Sequence, residues 1–594
     1  MRAVRDDGFV PLGGYGFLSD GRAGALVAAD GSVDWLAAPR MDSPPVFAKL
    51  LDPDEGGCFA LAPTVDHETT QRYVPDTMLV ETTFRCADSV VHVTDSLNRS
   101  TSGPLPWTEL ARRIHVVGDP VPMRWQVRPG SLLGTHRPWR HGHDHTPVMH
   151  VGSLMVAVVG DGAAAAPHPG GSSAAGEFTA GPDEDLLLAV VVSEAEPVPV
   201  PPAATIAARS EHTEAFWRHW CEKVHFDGPR RDEVRRSAMV LKGLTMTPEG
   251  GMLAALTTSL PEQIGGERNF DYRFTWVRDA SFALDAMSGL RLSEEVHGTI
   301  SWLLRAVRRT TPEVRPMYTV HGEPAPAEMS ARARLRGYRG SSPVHVGNSA
   351  ADQLQLGACG DLMDAVWRYT EDHGRLDQDS AETLATVADH VCDRWTDPDA
   401  GIWELSDMAH YTTSKIGCWV ALDRAVRLVE SGQMPSSRVD RWLCERDAVH
   451  AWTDRHCWSE TKSSYTFHAD TDELDAAVLL AARTHYLAGD DPRLASTISA
   501  IRTELAAGGP LLYRYTGMAG QEGAFAACSF WLVEALAATG QRDEACAVLD
   551  ELLGYAGDTG LLTEEIDPSS GELLGNLPQG LSHLALIGAA MAVR

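Results

Sequence analysis

The hydrophobic period changes once along this chain, near residue 210, and that change limits what the chain can fold into. Before it, apolar residues come in short runs rich in valine, threonine and aromatics: "MLVETTFRC", "SVVHVTDSL", "LARRIHVV", "PMRWQVRP", "LLLAVVVSE". Turn residues separate the runs, which is the strand pattern of an all-β sandwich. "ALVAADGSVDWLA" places two such runs around Asp30-Gly31, a hairpin signal. "GDGAAAAPHPGGSSAAGEFTAG" (Gly160–Gly181) reads as a low-complexity loop, and the Pro-rich "EAEPVPVPPAA" (Glu194–Ala204) marks the approach to a domain boundary.

Beyond the boundary the period is helical. A linker helix is expected over 211–230, then about twelve helical segments near 231–247, 277–289, 293–309, 349–372, 380–396, 413–432, 436–455, 471–488, 491–507, 524–539, 541–556 and 578–593. Pro578 suits a first helical turn, and Gly489 and Gly540 suit helix stops. The second, fourth and later even segments are the more apolar; "FAACSFWLVEALAA" and "LSHLALIGAAMAV" are apolar nearly all round, as buried helices are. The odd ones, such as "QRDEACAVLDELLGYA", are amphipathic. The expected fold is therefore α+β and multidomain: a β-sandwich over 1–210, the linker helix, and an (α/α)6 barrel over 231–594. An open helical solenoid is the alternative, but no repeated motif supports it. Successive helices run in opposite directions, so the loops entering the inner helices share one rim, and a site should be assembled there.

The formal net charge of −30 argues against nucleic acid or an anionic membrane surface as a partner and leaves a neutral ligand open. Ten cysteines lie singly without a CxxC pair, which suits reduced thiols in the cytoplasm better than a disulfide framework or a zinc site. The N-terminus has no apolar h-region, and no apolar run reaches the length of a membrane span. "THRPWRHGHDHTPVMH" (Thr135–His150) is histidine-rich but irregularly spaced, so no metal site is assigned. A homo-oligomer is compatible with the sequence.

The six loops on the expected rim collect aromatics, Arg–Asp pairs and isolated glutamates: "GGERNFDYRFTWVRDA", "GYRGSSPVHVGNSA", "DAGIWELSDMAHYTTSK", "SSYTFHADTDE", "LLYRYTGMAGQEG" and "GLLTEEIDPSSGELLGN". There is no Gly-rich phosphate loop, HExxH motif or Ser-His-Asp order. Two carboxyl groups from different loops suit glycosidic hydrolysis: one, protonated, serves the leaving oxygen, and the other, ionised, activates water. Glu404, behind Ile402 and Trp403, has the apolar setting that raises an acid's pKa; Glu564 or Glu565, in a polar loop, suits the base.

"ERNFDYRFTWVRDA", "GIWEL…HYTTSKIGCWVALDRA", "GQEGAFAACSFWLVEALA" and "TEEIDPSSGELLGNLPQGLSHLALI" resemble glycoside hydrolase family 15, which holds glucoamylases, glucodextranases and actinobacterial trehalases. The N-terminal "GYGFLSDGRAGALVAADGSVDWLAAPRMDSPPVFAKLLD" looks like the bacterial trehalase branch, and the resemblance spans about 15–594. It implies a β-supersandwich, a linker, an (α/α)6 barrel and inverting, exo-acting hydrolysis of α-glucosides, with a small neutral sugar as partner. Trehalose is the first substrate expected; a glucoamylase-like or isomaltose-type activity, a phosphorylase or a non-catalytic glycan-binding protein are the alternatives. Residue by residue, the resemblance implies Glu404 as general acid, Glu564 as general base and Tyr272 as the tyrosine that holds the attacking water. It implies Arg278 and Asp279 as the pair gripping the non-reducing glucose, Trp276 and Trp403 as pocket walls, and Arg514 and Glu522 as further substrate-binding residues. The chemistry requires no cofactor, though the trehalase branch implies stimulation by phosphate and Mg²⁺. Departures from the family pattern fall at Phe270 and Phe274, at "GACGD" (Gly357–Asp361), at "YTFHAD" (Tyr465–Asp470) and in "NLPQGLSH". The catalytic core survives them, so they bear on substrate choice more than on reaction type.

Overall fold

The computed structural model describes residues 5–140, 146–162, 171–182, 184–372 and 374–594. The N-terminal part is two antiparallel sheets. One runs in the order Tyr15–Ser19, Gly24–Ala28, Val33–Ala37, Cys58–Pro63, Val121–Arg128, Ala174–Ala180, with Pro45–Ala48 also on Val33–Ala37. The other runs Trp139–Arg140, Val148–Val151, Leu154–Gly160, Leu186–Glu194, Thr108–Gly118, Ser89–Leu97, Val80–Arg85, Glu68–Tyr73. Strand alternation makes the core: Val121, Met123, Trp125 and Val127 are buried while their neighbours on the strand face outward. Apolar residues of both sheets, among them Leu26's neighbours Ala25 and Val27 from the first and Val91, Val93 and Val190 from the second, share one cluster. The Asp30-Gly31 turn joins two paired strands, with Gly31 in the left-handed region. Ala174–Ala180, expected inside a loop, is instead a strand laid along Val121–Arg128; its ends Ala174 and Ala180 are buried against that strand. Of the remainder of that stretch, 163–170 lies outside the described residues, as do 141–145 of the histidine-rich segment.

The first helix, α1 (Ala203–Glu222), begins earlier than the 211–230 expected. Pro202 stands at its N-cap, where a missing N–H costs nothing, so the Pro-rich stretch starts the helix instead of delaying it. Twelve more follow: α2 (Arg231–Leu244), α3 (Val277–Gly289), α4 (Ser293–Arg308), α5 (Gly357–Asp372), α6 (Gln378–Arg394), α7 (Thr412–Glu430), α8 (Val439–His456), α9 (Leu480–Arg483, led in by a 3-10 turn at Ala476–Leu479), α10 (Pro492–Glu504), α11 (Ala526–Ala538), α12 (Arg542–Leu553) and α13 (Gly580–Ala592). The odd-numbered helices from α3 to α13 pack neighbour to neighbour, α3 on α5, α5 on α7, α7 on the turn into α9, α9 on α11, α11 on α13 and α13 back on α3. The even-numbered ones lie against them. Helix α4 shows why: Val296, Thr299, Ile300, Leu303 and Val307 form one buried stripe.

Two expected helices are shorter than their apolar patterns. The segment near 349–372 is a 3-10 turn, Ser349–Asp352, then extended Gln353, and only then α5; Asn348 accepts from Ala350 N–H and starts the turn. The segment near 471–488 yields only the turn and α9, started by Asp475 accepting from Ala477 N–H. In the second, Asp475 takes the Ala477 N–H that a helix begun at 471 would have bonded to an earlier carbonyl; in the first, the extended backbone of Gln353 (ψ 147°) breaks the helix after its capped turn. Gly540 follows α11 in the left-handed region, as a stop should. Pro578 lies just outside α13, whose cap is Gln579 accepting from Ser582 N–H.

The sheet part braces the helical part. Tyr338 donates to Val10 C=O, Ser19 to Gly243 C=O and Thr559 to Tyr15 C=O. Arg273 binds Asp271 through two nitrogens and also donates to Ser43 C=O. That clamp fixes the strand-like segment carrying Tyr272.

Candidate active site

A cavity of about 220 Å³ opens at the ends of the helices where chain enters α3, α5, α7, α11 and α13. Its walls include Tyr272, Trp276, Arg278, Asp279, Trp403, Glu404, Arg514 and Glu564. The loop before α9 contributes from behind: Asp475 accepts from Trp403 Nε1 at 2.9 Å. The rim expected from antiparallel helix order is thus where the structure gathers these residues.

Each glutamate has its own donor. Trp276 Nε1 donates to Glu404 Oε1 at 2.5 Å, and Tyr272 Oη donates to Glu564 Oε1 at 2.6 Å. Burial raises the Glu404 carboxyl pKa, while Arg278 and the Trp276 hydrogen bond lower it. Glu404 sits in a left-handed backbone conformation (φ 61°), two residues after Ile402, whose carbonyl accepts from Arg278. Gln353 donates to the Glu404 carbonyl, and Gly401, also left-handed, starts the turn. A side chain at Gly401 would meet the Tyr411 ring at 2.7 Å.

Glu564 differs from its sequence-based expectation. It is 4% exposed, not a solvated loop carboxylate. Burial first, then the Glu262 charge, raise its pKa; Arg514 and the Tyr272 hydroxyl lower it. The backbone of Gly575 (φ 82°) passes so close that an added Cβ would lie 2.8 Å from Glu564 Cβ. Glu565 points elsewhere: it accepts from Gly523 N–H at 2.9 Å, lies in a short strand paired with Ala524–Phe525, and is absent from the cavity wall. Adjacent residues of an extended segment face opposite ways.

Arg278 and Asp279 occupy the first turn of α3, joined at 3.1 Å through Nε, with Arg278 also held by Ile402 C=O. Trp403 packs edge-on to Phe525 (5.1 Å between centroids), with the Arg514 guanidinium 5.5 Å from its ring. Glu522 does not reach the cavity wall. It lies fully buried behind Arg514, accepting from Arg514 Nε at 2.7 Å and from Arg268 at 2.5 Å. Glu262, Arg268, Asn348 and Gln353 line the cavity and were not singled out from sequence. Of these, Glu262 and Arg268 stand in the same "SLPEQIGGER" stretch as the motif, yet a lone glutamate ten residues before Tyr272 carries no chemical signature.

Among the described residues, Glu262, Glu522 and Glu565 bring one carboxylate oxygen each within 4.8 Å of one another, a spacing a cation could use. Arg514 already lies among them, 3.1 Å from Glu262 and 3.8 Å from Glu565 and bonded to Glu522, with Arg268 alongside. Two guanidinium groups supply the counter-charge there, so these residues do not fit Mg²⁺, and no catalytic step is routed through it.

The departures from the family pattern have places. Phe270 is on the cavity wall; Phe274 is not, and packs with Trp276 and Met317 beside a separate cleft. In "YTFHAD", Phe467 stacks on Tyr515 (4.6 Å), a wall residue. In "GACGD", Gly357 and Gly360 let α5 touch α7 at Gly417. The same stretch borders a second cavity of about 80 Å³ beneath Arg278 and Ile402.

Comparison with known proteins agrees with this arrangement. Residues 228–591 match the model for glycosyl hydrolases family 15, and 5–121 match that for a trehalase-like N-terminal domain. The chain belongs to glycoside hydrolase family 15 and is an enzyme of that class. It is 34% identical to a trehalase of Mycolicibacterium smegmatis (98% of this chain, 91% of that one) and 33% identical to a trehalase of Mycobacterium tuberculosis (98% and 90%). It is 28% identical to a trehalase of Thermoplasma volcanium (98% and 94%). The fold is that of a bacterial glucoamylase complexed with acarbose, with a TM-score of 0.75 over 100% of this chain and 96% of that one at 12% identity. Among the described residues no helix is long and apolar enough to cross a membrane, and all ten cysteines are free.

Proposed function

We propose that the protein is an inverting, exo-acting trehalase. The observation that carries this is the pair of carboxylates, Glu404 and Glu564, on the wall of one cavity, each with one oxygen bound to a separate aromatic donor and the other without a hydrogen-bond donor among the described residues. Glu404, in its protonated form, gives its proton to the glycosidic oxygen as the C1–O bond breaks. Glu564, ionised, takes a proton from the water that forms the new C1–O bond on the opposite face. Tyr272 holds Glu564 and stands beside that water. Arg278 and Asp279 grip hydroxyls of the glucose being released, and Trp276, Trp403 and Arg514 shape its pocket. Solvent returns the proton from Glu564 to Glu404 between turnovers. Full-length similarity to trehalases favours trehalose as substrate.

The architecture that supports this reading is an N-terminal β-supersandwich over 1–210, a linker, and a catalytic (α/α)6 barrel over 231–594 whose inner ring is α3, α5, α7, α9, α11 and α13. A cytoplasmic location fits the free cysteines.

A proton NMR time course on trehalose, maltose and isomaltose tests the reading. Trehalose should be the best substrate, giving β- and α-glucose in equal initial amounts, and Glu404→Gln and Glu564→Gln should each abolish turnover. Two α-glucose from trehalose at first appearance would sink inversion; faster turnover of maltose would sink the substrate; full activity in either variant would sink the residue roles.

A further inference from the structure

The cavity contains a third buried glutamate that the mechanism above does not use. Glu262 ends an extended stretch after α2 that runs beside the catalytic segment: Ala254 N–H donates to Phe274 C=O, Ala255 to Tyr272, Ser259 to Phe270 and Glu262 to Arg268. The Glu262 carbonyl accepts from Gly523 N–H, which ties it to the loop before α11. The backbone is therefore fixed on two sides, and the side chain is 2% exposed yet on the cavity wall.

Its two oxygens are unequal. Oε2 is 3.1 Å from Arg514 Nη2 and 3.8 Å from Arg268 Nη1. Oε1 has no hydrogen-bond partner among the described residues. Arg514 does not need Glu262 for its orientation, because Glu522 already binds both Nε and Nη2 of that guanidinium. Oε1 is not among the side-chain atoms sealed away without a partner, so it opens on the cavity, where water fills the place until a ligand brings a donor of its own.

An accounting of the cavity's carboxylate oxygens sharpens the point. Glu404 Oε2, Glu564 Oε2, Asp279 Oδ2 and Glu262 Oε1 lack hydrogen-bond donors from the protein among the described residues. The proposed mechanism assigns the first to the leaving oxygen, the second to water and the third to a sugar hydroxyl. The fourth belongs to a residue of the same cavity wall and can accept a hydrogen bond in the same way.

We propose that Glu262 is a substrate-binding residue whose Oε1 accepts a hydrogen bond from a hydroxyl of the glucose unit lying between Glu404 and Glu564, while Oε2 stays on Arg514. The assignment rests on the α-glucosidase reading of the cavity and is independent of which α-glucoside is the natural substrate.

The test uses α-glucosyl fluoride and its 2-, 3-, 4- and 6-deoxy analogues, with fluoride release as the readout, in the full-length wild type and in Glu262→Ala and Glu262→Gln. A single sugar ring removes any ambiguity about which unit occupies the site. Glu262→Ala should lower kcat/KM for the parent fluoride by about 10- to 100-fold, the worth of a hydrogen bond to a charged group. For one deoxy analogue that loss should shrink to less than about threefold, because the partner hydroxyl is already gone. If Glu262→Ala fails to fold, Glu262→Gln, which keeps the shape, should show the same selective loss of coupling. An equal loss on all five fluorides would reduce Glu262 to a structural support for Arg514 and overturn the assignment, as would unchanged activity. No fluoride release by the wild type would overturn it together with the α-glucosidase reading. Fluoride release without trehalose turnover would remove only trehalose.

Discussion

The rings of Tyr272 and Trp276 meet edge to face, centroids 5.4 Å apart, and each gives its one polar hydrogen to a different glutamate. Two residues four positions apart on one segment thus set the positions of both carboxylates, Glu564 through the phenol and Glu404 through the indole. Neither glutamate needs the other to hold its place.

Removing either donor should move opposite limbs of the pH–rate profile. The Tyr272 hydrogen bond lowers the Glu564 pKa, so Tyr272→Phe raises it, and the base ionises only at higher pH. The ascending limb of kcat/KM should shift upward in pH, with activity reduced about 10- to 100-fold. The Trp276 hydrogen bond likewise lowers the Glu404 pKa, so Trp276→Phe should keep the acid protonated to higher pH and move the descending limb upward. Unmoved limbs in both variants would break the link between these donors and the reaction.

Gly575→Ala should displace the proposed base by pressing on it. Its positive φ strains any side chain, and the new Cβ would press on Glu564 Cβ at 2.8 Å. We expect a stability loss of about 1–3 kcal/mol in urea unfolding and a larger fall in kcat than in substrate affinity.

Arg514→Met should be among the most destabilising single changes. It leaves Glu262, Glu522 and Glu565 buried without their central cation, a loss of about 3–5 kcal/mol by the usual cost of breaking a buried pair. Adding Glu522→Gln should recover part of the lost thermal stability, whereas an additive pair would show that the groups are not coupled.

His583 makes stability fall in acid. Its Nε2 accepts from Leu562 N–H and Nδ1 faces Ser237, so the ring is neutral and donates through Nδ1. Burial pushes its pKa down from 6.5 to about 3. Between these values the unfolded chain binds a proton that the folded one does not, so stability declines as pH falls from about 6.5 to about 3. His583→Asn should flatten that part of the unfolding free energy measured against pH. Because Leu562 leads into Glu564, the same variant should also lower kcat.

The sequence carried the architecture well where periodicity was strong. The apolar α11 and α13 and the amphipathic α4 lie close to where their patterns put them. It failed at 349–356, where Gln353 turns extended after a capped 3-10 turn, and at 471–475, where Asp475 takes the Ala477 N–H for a turn. The common place of Tyr272, Arg278, Asp279, Glu404 and Glu564 on one cavity wall was legible because motif and rim argument coincide on them. The burial of Glu564 was not, since polar neighbours in the chain say nothing about Gly575 and Pro261 closing over it from elsewhere. Glu522 looked like a pocket residue for the same reason: only the fold shows Arg514 standing in front of it.

The left-handed backbone at Glu404 sets the protein's thermal stability against its turnover. A residue with a Cβ is held there against its preference, with a carboxyl that burial also penalises. Glycine would accept the same φ freely and remove the carboxyl as well. That change would also leave the Trp276 indole N–H without its acceptor, so what eases the backbone at this one position strips the cavity of the proposed acid and of the bond that seats it.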